Sequence, residues 1–143
     1  MLIQQAISDE QILKCCEVIQ ILRPHITTDE YLERIKKQIQ TGYKLSFIEV
    51  NGNAVAAMGW REVLFLAWGK AIYVDDLTTM PDSRGKGIAG TLLDYIIHHA
   101  EENGFDQVHL DSGHGLNRWN AHRLYLNKRF NITSHHFCYM VKK

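Results

Sequence analysis

The stretch Leu77-Thr-Thr-Met-Pro81-Asp-Ser-Arg84-Gly-Lys-Gly87-Ile-Ala-Gly90-Thr-Leu-Leu93 decides the fold. Its first residues end a strand-like run, 70–80, which Pro81 closes because proline has no N–H for a ladder. From 86 to 102 the apolar residues Ile88, Leu92, Leu93, Ile96, Ile97 and Ala100 recur at helical spacing, and Asn103-Gly104 stops the helix. The chain therefore passes from strand to helix through a glycine turn. A helix start carries unpaired N–H groups and the positive end of the helix dipole, so it favours anions. Small residues at Gly85, Gly87, Ala89 and Gly90 let those N–H groups approach a phosphate, and Arg84 and Lys86 add cationic donors. Four small positions with two flanking cations favour a pyrophosphate site over a mere linking turn.

Working outward, residues 2–7 read as a short first strand. Ser8-Asp9-Glu10 opens a helix that carries Ile12, Leu13, Cys16, Ile19 and Ile21 and stops near Leu22, because Pro24 disfavours helix at Arg23. Thr28 caps a second helix with Tyr31, Leu32, Ile35 and Ile39 on one face, and Gly42 ends it. Residues 44–50 alternate like a strand, Asn51-Gly52 signals a hairpin, and 53–61 pair back. Leu64 to Gly69 reads as a loop or an irregular continuation of the strand. Residues 107–110 form a short strand, 118–128 a last helix and 131–141 a final strand. The order β-α-α-β-β-β-α-β-α-β mixes hairpins with a strand–helix–strand crossover. That is an α+β (α/β three-layer) class with a mixed central sheet flanked by helices, in a single domain over 1–143.

Sixteen basic and sixteen acidic residues cancel, which excludes nucleic-acid binding by bulk electrostatics. No apolar run approaches the ~18 residues of a membrane helix, and the N-terminus lacks a signal-peptide pattern. A cytoplasmic protein away from membranes is the expectation. Cys15, Cys16 and Cys138 suggest neither a disulfide framework nor a zinc site. His109, Asp111, His114, His122, His135 and His136 cluster late in the chain, but no His-x-x-x-His helix pair is present, so no metal site is expected.

Gly85-x-Gly87-x-x-Gly90 also matches the dinucleotide fingerprint, and Asp111 follows at about the expected 20 residues. Against an NAD(P)-binding enzyme stand the four residues Pro81-Asp-Ser-Arg84 between strand and turn, the depth of the turn in the chain, and the short remainder after Asp111.

The segment from Leu77 to Leu93 resembles motif A of the GNAT acetyltransferase superfamily, with its strand, proline bend and Arg84-Gly85-Lys86-Gly87-Ile88-Ala89. Downstream, Ala121-His-Arg-Leu-Tyr125-Leu-Asn-Lys-Arg129-Phe130 is similar to the family's Ala-x-x-x-Tyr-x-x-x-Gly-Phe segment. Both motifs stand in the family's order, and the resemblance covers essentially the whole chain. Arg129 replaces the usual glycine. Arg118 stands where many members have an asparagine that touches the cofactor arm, a place Asn117 or Asn120 would take over.

The resemblance implies an acyl-CoA N-acyltransferase fold and acetyl-CoA as cosubstrate. Acetyl-CoA would lie between two splayed parallel strands, 70–80 and 107–111. Backbone groups of Leu77, Thr78 and Thr79 would pair with the pantetheine arm, and N–H groups from Arg84 to Ala89 would hold the pyrophosphate, with Gly90, Thr91 and Asn120 completing the set. It also admits a homodimer through the C-terminal strands. A non-catalytic CoA sensor on the same fold is the other alternative.

Direct acyl transfer needs a neutral amine, although an alkyl ammonium has a pKa of about 10.4. It needs a donor for the growing carbonyl charge, such as an N–H near Leu77–Thr79. It gains from a proton donor to the leaving thiolate, a role the resemblance assigns to Tyr125. The base candidates are Asp75 and Asp76. As neighbours on a strand they are expected on opposite faces, with Asp75 on the face of Tyr73 and Leu77. Glu62 is a weaker candidate. The acceptor, a small-molecule or peptide amine, is not encoded in any readable way around 22–32 and 61–70, where Arg23, His25, Glu62 and Trp68 stand.

Overall fold

Five strands lie in the order β1-β2-β3-β4-β5: β1 (Ile3–Gln5), β2 (Lys44–Val50), β3 (Asn53–Phe65), β4 (Gly69–Thr79) and β5 (Gln107–Leu110). Neighbours from β1 to β4 are antiparallel, and β4 and β5 are parallel, so the sheet is mixed as expected. The computed structural model describes residues 1–143 throughout. The chain divides into two units, Met1–Leu110 with the sheet and Asp111–Lys143.

In the first unit each face of the sheet has its own core. On one face α1 (Asp9–Lys14), α2 (Cys16–Leu22) and α3 (Thr28–Gln40) bury Ile12, Val18, Ile19, Tyr31 and Ile35 against Leu45, Phe47 and Ala57. On the other, α4 (Ile88–Glu102) buries Leu92, Ile96 and Ala100 against Ile48, Met58, Trp60, Ile72 and Val74. Each such large apolar side chain contributes about 1.5–3 kcal/mol. The Trp60 indole N–H is satisfied inside this core by Ser46 Oγ at 3.0 Å.

The turns follow their residue types. Asn51 and Gly52 both have positive φ (52° and 82°), as a two-residue hairpin turn demands. Ser8 caps α1 in a capping box with Gln11. The cap of α3 is Thr27 rather than the expected Thr28; the Thr27 N–H is held by Glu30 at 3.2 Å, a pairing that only the Thr27-x-x-Glu30 spacing permits.

Four expectations are corrected. The helix from Ser8 to Leu22 is broken at Cys15, because the Tyr31 hydroxyl donates to the Ile12 carbonyl at 2.7 Å and the Cys15 N–H closes a tighter turn onto that same oxygen. The helix read from 86 begins at Ile88, because Gly87 at its N-cap is left-handed. The loop between Leu64 and Gly69 shrinks to a turn at 66–68: β3 continues to Phe65 and pairs there with Gly69. Finally, residues 131–141 form no strand. Their alternating Phe137, Tyr139 and Val141 are exposed, and β propensity makes no strand without a ladder partner.

The second unit holds a 3-10 turn (Leu116–Arg118) leading into α5 (Trp119–Asn127). Arg129, in the usual glycine position, keeps a left-handed conformation, φ 69°. Its N–H bonds Leu126 O and the Phe130 N–H bonds Tyr125 O, both at 3.0 Å, which is the Schellman pattern. The Phe130 ring closes edge-on against Tyr125. The helix end is thus the one a glycine would make.

Candidate active site

The glycine turn lies between a 3-10 turn, Pro81–Ser83, and α4. Gly85 and Gly87 have φ of 75° and 78°, which L side chains adopt at a cost. A Cβ at either would meet open space, so glycine is required here by backbone conformation rather than by packing. The first bond of α4 runs from the Thr91 N–H to Gly87 O at 3.0 Å, and the Thr91 hydroxyl donates to the same oxygen at 3.1 Å. The N–H groups of Ile88, Ala89 and Gly90 stand ahead of it without an intrahelical acceptor. Arg84 Nε reaches Thr79 O at 3.4 Å, joining the turn to the end of β4.

β5 pairs with β4 only over Ala71–Val74. From Asp75 to Thr79, β4 has β3 on one side and no strand on the other. In an antiparallel pair the main-chain groups of alternate residues point at the neighbour and away from it. The Met80 N–H bonds Val55 O, so the phase continues with Thr78 turned to β3 and with Leu77 and Thr79 turned to the open edge. Of the three expected edge residues, then, Leu77 and Thr79 present backbone groups outward. Thr78 pairs with Ala57, and its hydroxyl is buried on Val18 O at 3.0 Å.

The point of divergence is a bulge. Val74 pairs with Trp60 and Asp76 with Gly59, leaving Asp75 as the extra residue on β4. The expectation that Asp75 and Asp76 point to opposite faces is therefore wrong: the extra residue puts both carboxylates on the α1–α3 face. It also separates Asp75 from Leu77, which packs on the α4 side.

Both carboxylates are engaged by arginines. Arg61 grips Asp75 through Nε at 3.1 and 3.0 Å and through Nη2 at 2.8 Å, and Nη2 also reaches Gln38 at 2.8 Å. The Arg61 guanidinium lies over the Tyr43 ring. Asp76 accepts from Arg23 Nε at 2.8 Å and from the Tyr43 hydroxyl at 2.8 Å, and Arg23 Nη2 reaches the Asp75 carbonyl at 3.0 Å. Burial, reinforced by Asp76, pushes the Tyr43 phenol well up, so it stays a donor. Charge-assisted bonds of this kind occupy the carboxylate lone pairs. Arg61, Tyr43 and Gly59 were missed in the sequence. Their signal is cross-strand: Gly59 opposes Asp76 and Arg61 opposes Tyr73, pairs that appear only once the register is known.

Glu62 pairs with Lys44 at 3.7 Å. Trp68 stacks on His109 and Tyr73, making a platform beside the β3–β4 hairpin.

In the second unit Tyr125 is buried. Burial pushes its phenol up, and the Arg118 guanidinium beside it pulls the other way. Arg118 Nη2 also donates to Ser112 Oγ at 3.4 Å. Asn120 accepts from Arg123 Nη1 at 3.0 Å, and His122 bonds the Gly113 carbonyl at 2.9 Å.

Comparison with known proteins bears out the resemblance. The sequence model described as the acetyltransferase (GNAT) family matches residues 11–131. The uncharacterized N-acetyltransferase YhdJ of Bacillus subtilis (strain 168) is 30% identical over 136 residues, covering 94% of each chain. Among solved structures, ribosomal-protein-alanine N-acetyltransferase from Brucella melitensis biovar Abortus 2308 aligns over 100% of both chains with a TM-score of 0.77 at 19% identity. Aminoglycoside N-acetyltransferase AAC(6')-Iy in complex with CoA aligns over 99% of this chain and 95% of its own, with a TM-score of 0.81 at 13% identity. The transcriptional regulator from Bacillus halodurans C-125 aligns over 98% and 99%, with a TM-score of 0.82 at 16% identity.

Proposed function

This chain belongs to the acetyltransferase (GNAT) family and is an N-acetyltransferase, and from that premise we propose that residues 1–143 form one catalytic domain that moves the acetyl group of acetyl-CoA onto a primary amine of a small molecule or protein. The observation that carries the cosubstrate assignment is the start of α4, where left-handed Gly85 and Gly87 lead into N–H groups that have no intrahelical acceptor. The pyrophosphate sits on the N–H groups of Gly85 to Gly90 with Arg84 and Lys86 as cationic partners, and Thr91 holds the turn through Gly87. The pantetheine amides add to the free edge of β4 at Leu77 and Thr79, as a further strand would. Thr78 contributes by locking that edge to α2, and Asn120 lies along the cofactor arm.

Tyr125 gives its proton to the departing thiolate, whose free pKa is about 8.5 if it resembles a cysteine. Asp75 and Asp76 act from the α1–α3 face of the bulge, where they order β4 and the Arg23 loop around the incoming amine. Their engagement by guanidinium groups supports an orienting role over that of a free base.

Two measurements test this reading. Acetyl-CoA should raise the melting temperature saturably, by mass action on the folded state. CoA release should then be found with one class among polyamines, aminoglycosides, amino acids and peptide N-termini. No shift at millimolar acetyl-CoA would sink the cosubstrate assignment. Binding without release across the whole panel would favour a CoA sensor.

A further inference from the structure

Two arginines meet the β4 bulge, and they are spent differently. Arg61 commits Nε, Nη1 and Nη2 to Asp75, Thr41 and Gln38. Arg23 commits only Nε, to Asp76 Oδ1 at 2.8 Å, and Nη2, to the Asp75 carbonyl at 3.0 Å. A guanidinium carries five N–H groups. With two of them bonded, Arg23 keeps three: both on Nη1 and one on Nη2. Its side chain is 42% exposed, against 15% for Asp76. The carboxylates are in the opposite state, with both oxygens of each already engaged. Asp75 lies in the Arg61 fork, and Asp76 accepts from Arg23 on one oxygen and from the Tyr43 hydroxyl on the other.

The Asp75 carbonyl that holds Nη2 belongs to the residue with which the free edge of β4 begins. Leu77 and Thr79 follow along that edge. The backbone under Arg23 is fixed as well. Its N–H bonds Ile19 O at 2.8 Å at the end of α2, and the ring of Pro24 restricts the next residue. A guanidinium pinned at two points loses little further freedom when a ligand binds.

We propose that Arg23 selects the acceptor, by taking a carboxylate that the substrate carries a short arm away from the amine to be acetylated. This rests on the reading of the chain as an acetyl-CoA-dependent enzyme with its cosubstrate on the β4 edge. The coplanar N–H groups of Nη1 and Nη2 match the two oxygens of a carboxylate. The same arrangement disfavours polyamines and aminoglycosides. They would bring further ammonium groups to a place whose carboxylates are both paired and whose remaining donor is itself a cation. A zwitterion leaves the charge of the place unchanged. A free amino acid and an acidic peptide N-terminus carry the same two groups, and the experiment separates them.

The test uses the full chain and the variants Arg23→Gln and Arg23→Lys. CoA release is measured with the standard amino acids, each against its amide, and with a peptide beginning in glutamate against one beginning in glutamine. Spermidine and kanamycin run alongside. The higher kcat/KM, amino acid or peptide, identifies the source of the carboxylate. The best acceptor should lose at least ~10-fold in kcat/KM when its carboxylate becomes an amide. Arg23→Gln should raise KM for that acceptor ~10- to 100-fold, the scale of charge-assisted hydrogen bonds, and bring the acid-to-amide ratio near one. Arg23→Lys should recover part of the loss, since it keeps the charge without the fork. An arginine that merely clamps the bulge would lose acid and amide alike. An unchanged ratio in Arg23→Gln would therefore overturn the proposal, as would a preference for spermidine or kanamycin. Calorimetric binding of the same acids to the protein saturated with CoA needs no turnover. Binding that Arg23→Gln abolishes supports the carboxylate site even without acetyl transfer, an outcome that counts against the enzyme reading alone. Binding that Arg23→Gln leaves intact, or neither binding nor turnover of any acid, would overturn the proposal.

Discussion

The Tyr43 hydroxyl donates a 2.8 Å hydrogen bond to Asp76 Oδ2 across the bare backbone of Gly59. A Cβ on Gly59 would lie 1.9 Å from the Tyr43 oxygen. Gly59→Ala should therefore displace the tyrosine, leave Asp76 short of a donor and destabilise the fold by about 1–3 kcal/mol. Urea unfolding should show a lower midpoint at unchanged slope. An unchanged midpoint would mean that the ring has room to move aside.

Arg61 joins Asp75 on β4 to Gln38 on α3 through a planar fork. A lysine keeps the charge but offers one point of contact. Arg61→Lys should cost about 1–2 kcal/mol, the scale of charge-assisted bonds lost from a partly buried pair. Chemical denaturation checks it, and Lys36→Arg on the exposed surface of α3 serves as the neutral control.

Arg129 holds a left-handed conformation at the end of α5 with no cyclic or glycyl help. Glycine adopts it freely, at the expense of more entropy in the unfolded chain. Arg129→Gly should stabilise by about 0.5–1 kcal/mol, and a melting curve that fails to rise would show the arginine side chain making a contribution of its own.

Cys15 is buried, and burial pushes its thiol from 9.0 to about 12. A thiol raised in the folded state contributes stability that is complete below its unfolded pKa and is lost as pH climbs toward the folded one. Stability should therefore fall between about pH 9 and 12, and Cys15→Ala should flatten that part of the profile. In the native protein at about pH 8, iodoacetamide should label exposed Cys138 and spare Cys15, as peptide mapping would show.

What could be read from the sequence was what depends on neighbours in the chain. The Asn51-Gly52 turn, the Ser8 cap, the Gly42 stop and the apolar stripe of α4 are all local, and all appear where their residues put them. The glycine turn was legible as a turn between strand and helix, but not which of its glycines take positive φ, Gly85 and Gly87. Apart from the Thr27 cap and the Gly87 helix start, the misreadings involve partners far away in sequence. The Cys15 break depends on a hydroxyl from Tyr31. The far end of β3 escaped notice because Leu64 and Phe65 are exposed, so no in-out alternation marks them. Asp75 and Asp76 share a face because of a register shift against Gly59 and Trp60, and register is a property of two strands together.

That register shift is encoded differently from the rest of the site. A bulge exists because one strand has one residue more than its partner over the same span, whatever those residues are. It behaves like a dislocation in a lattice: substitution leaves it in place, and only an insertion or deletion removes it. The free edge of β4 should accordingly withstand many replacements at 75. It should fail on the loss of that one residue, when the strand is left with nothing to bend it away from β5.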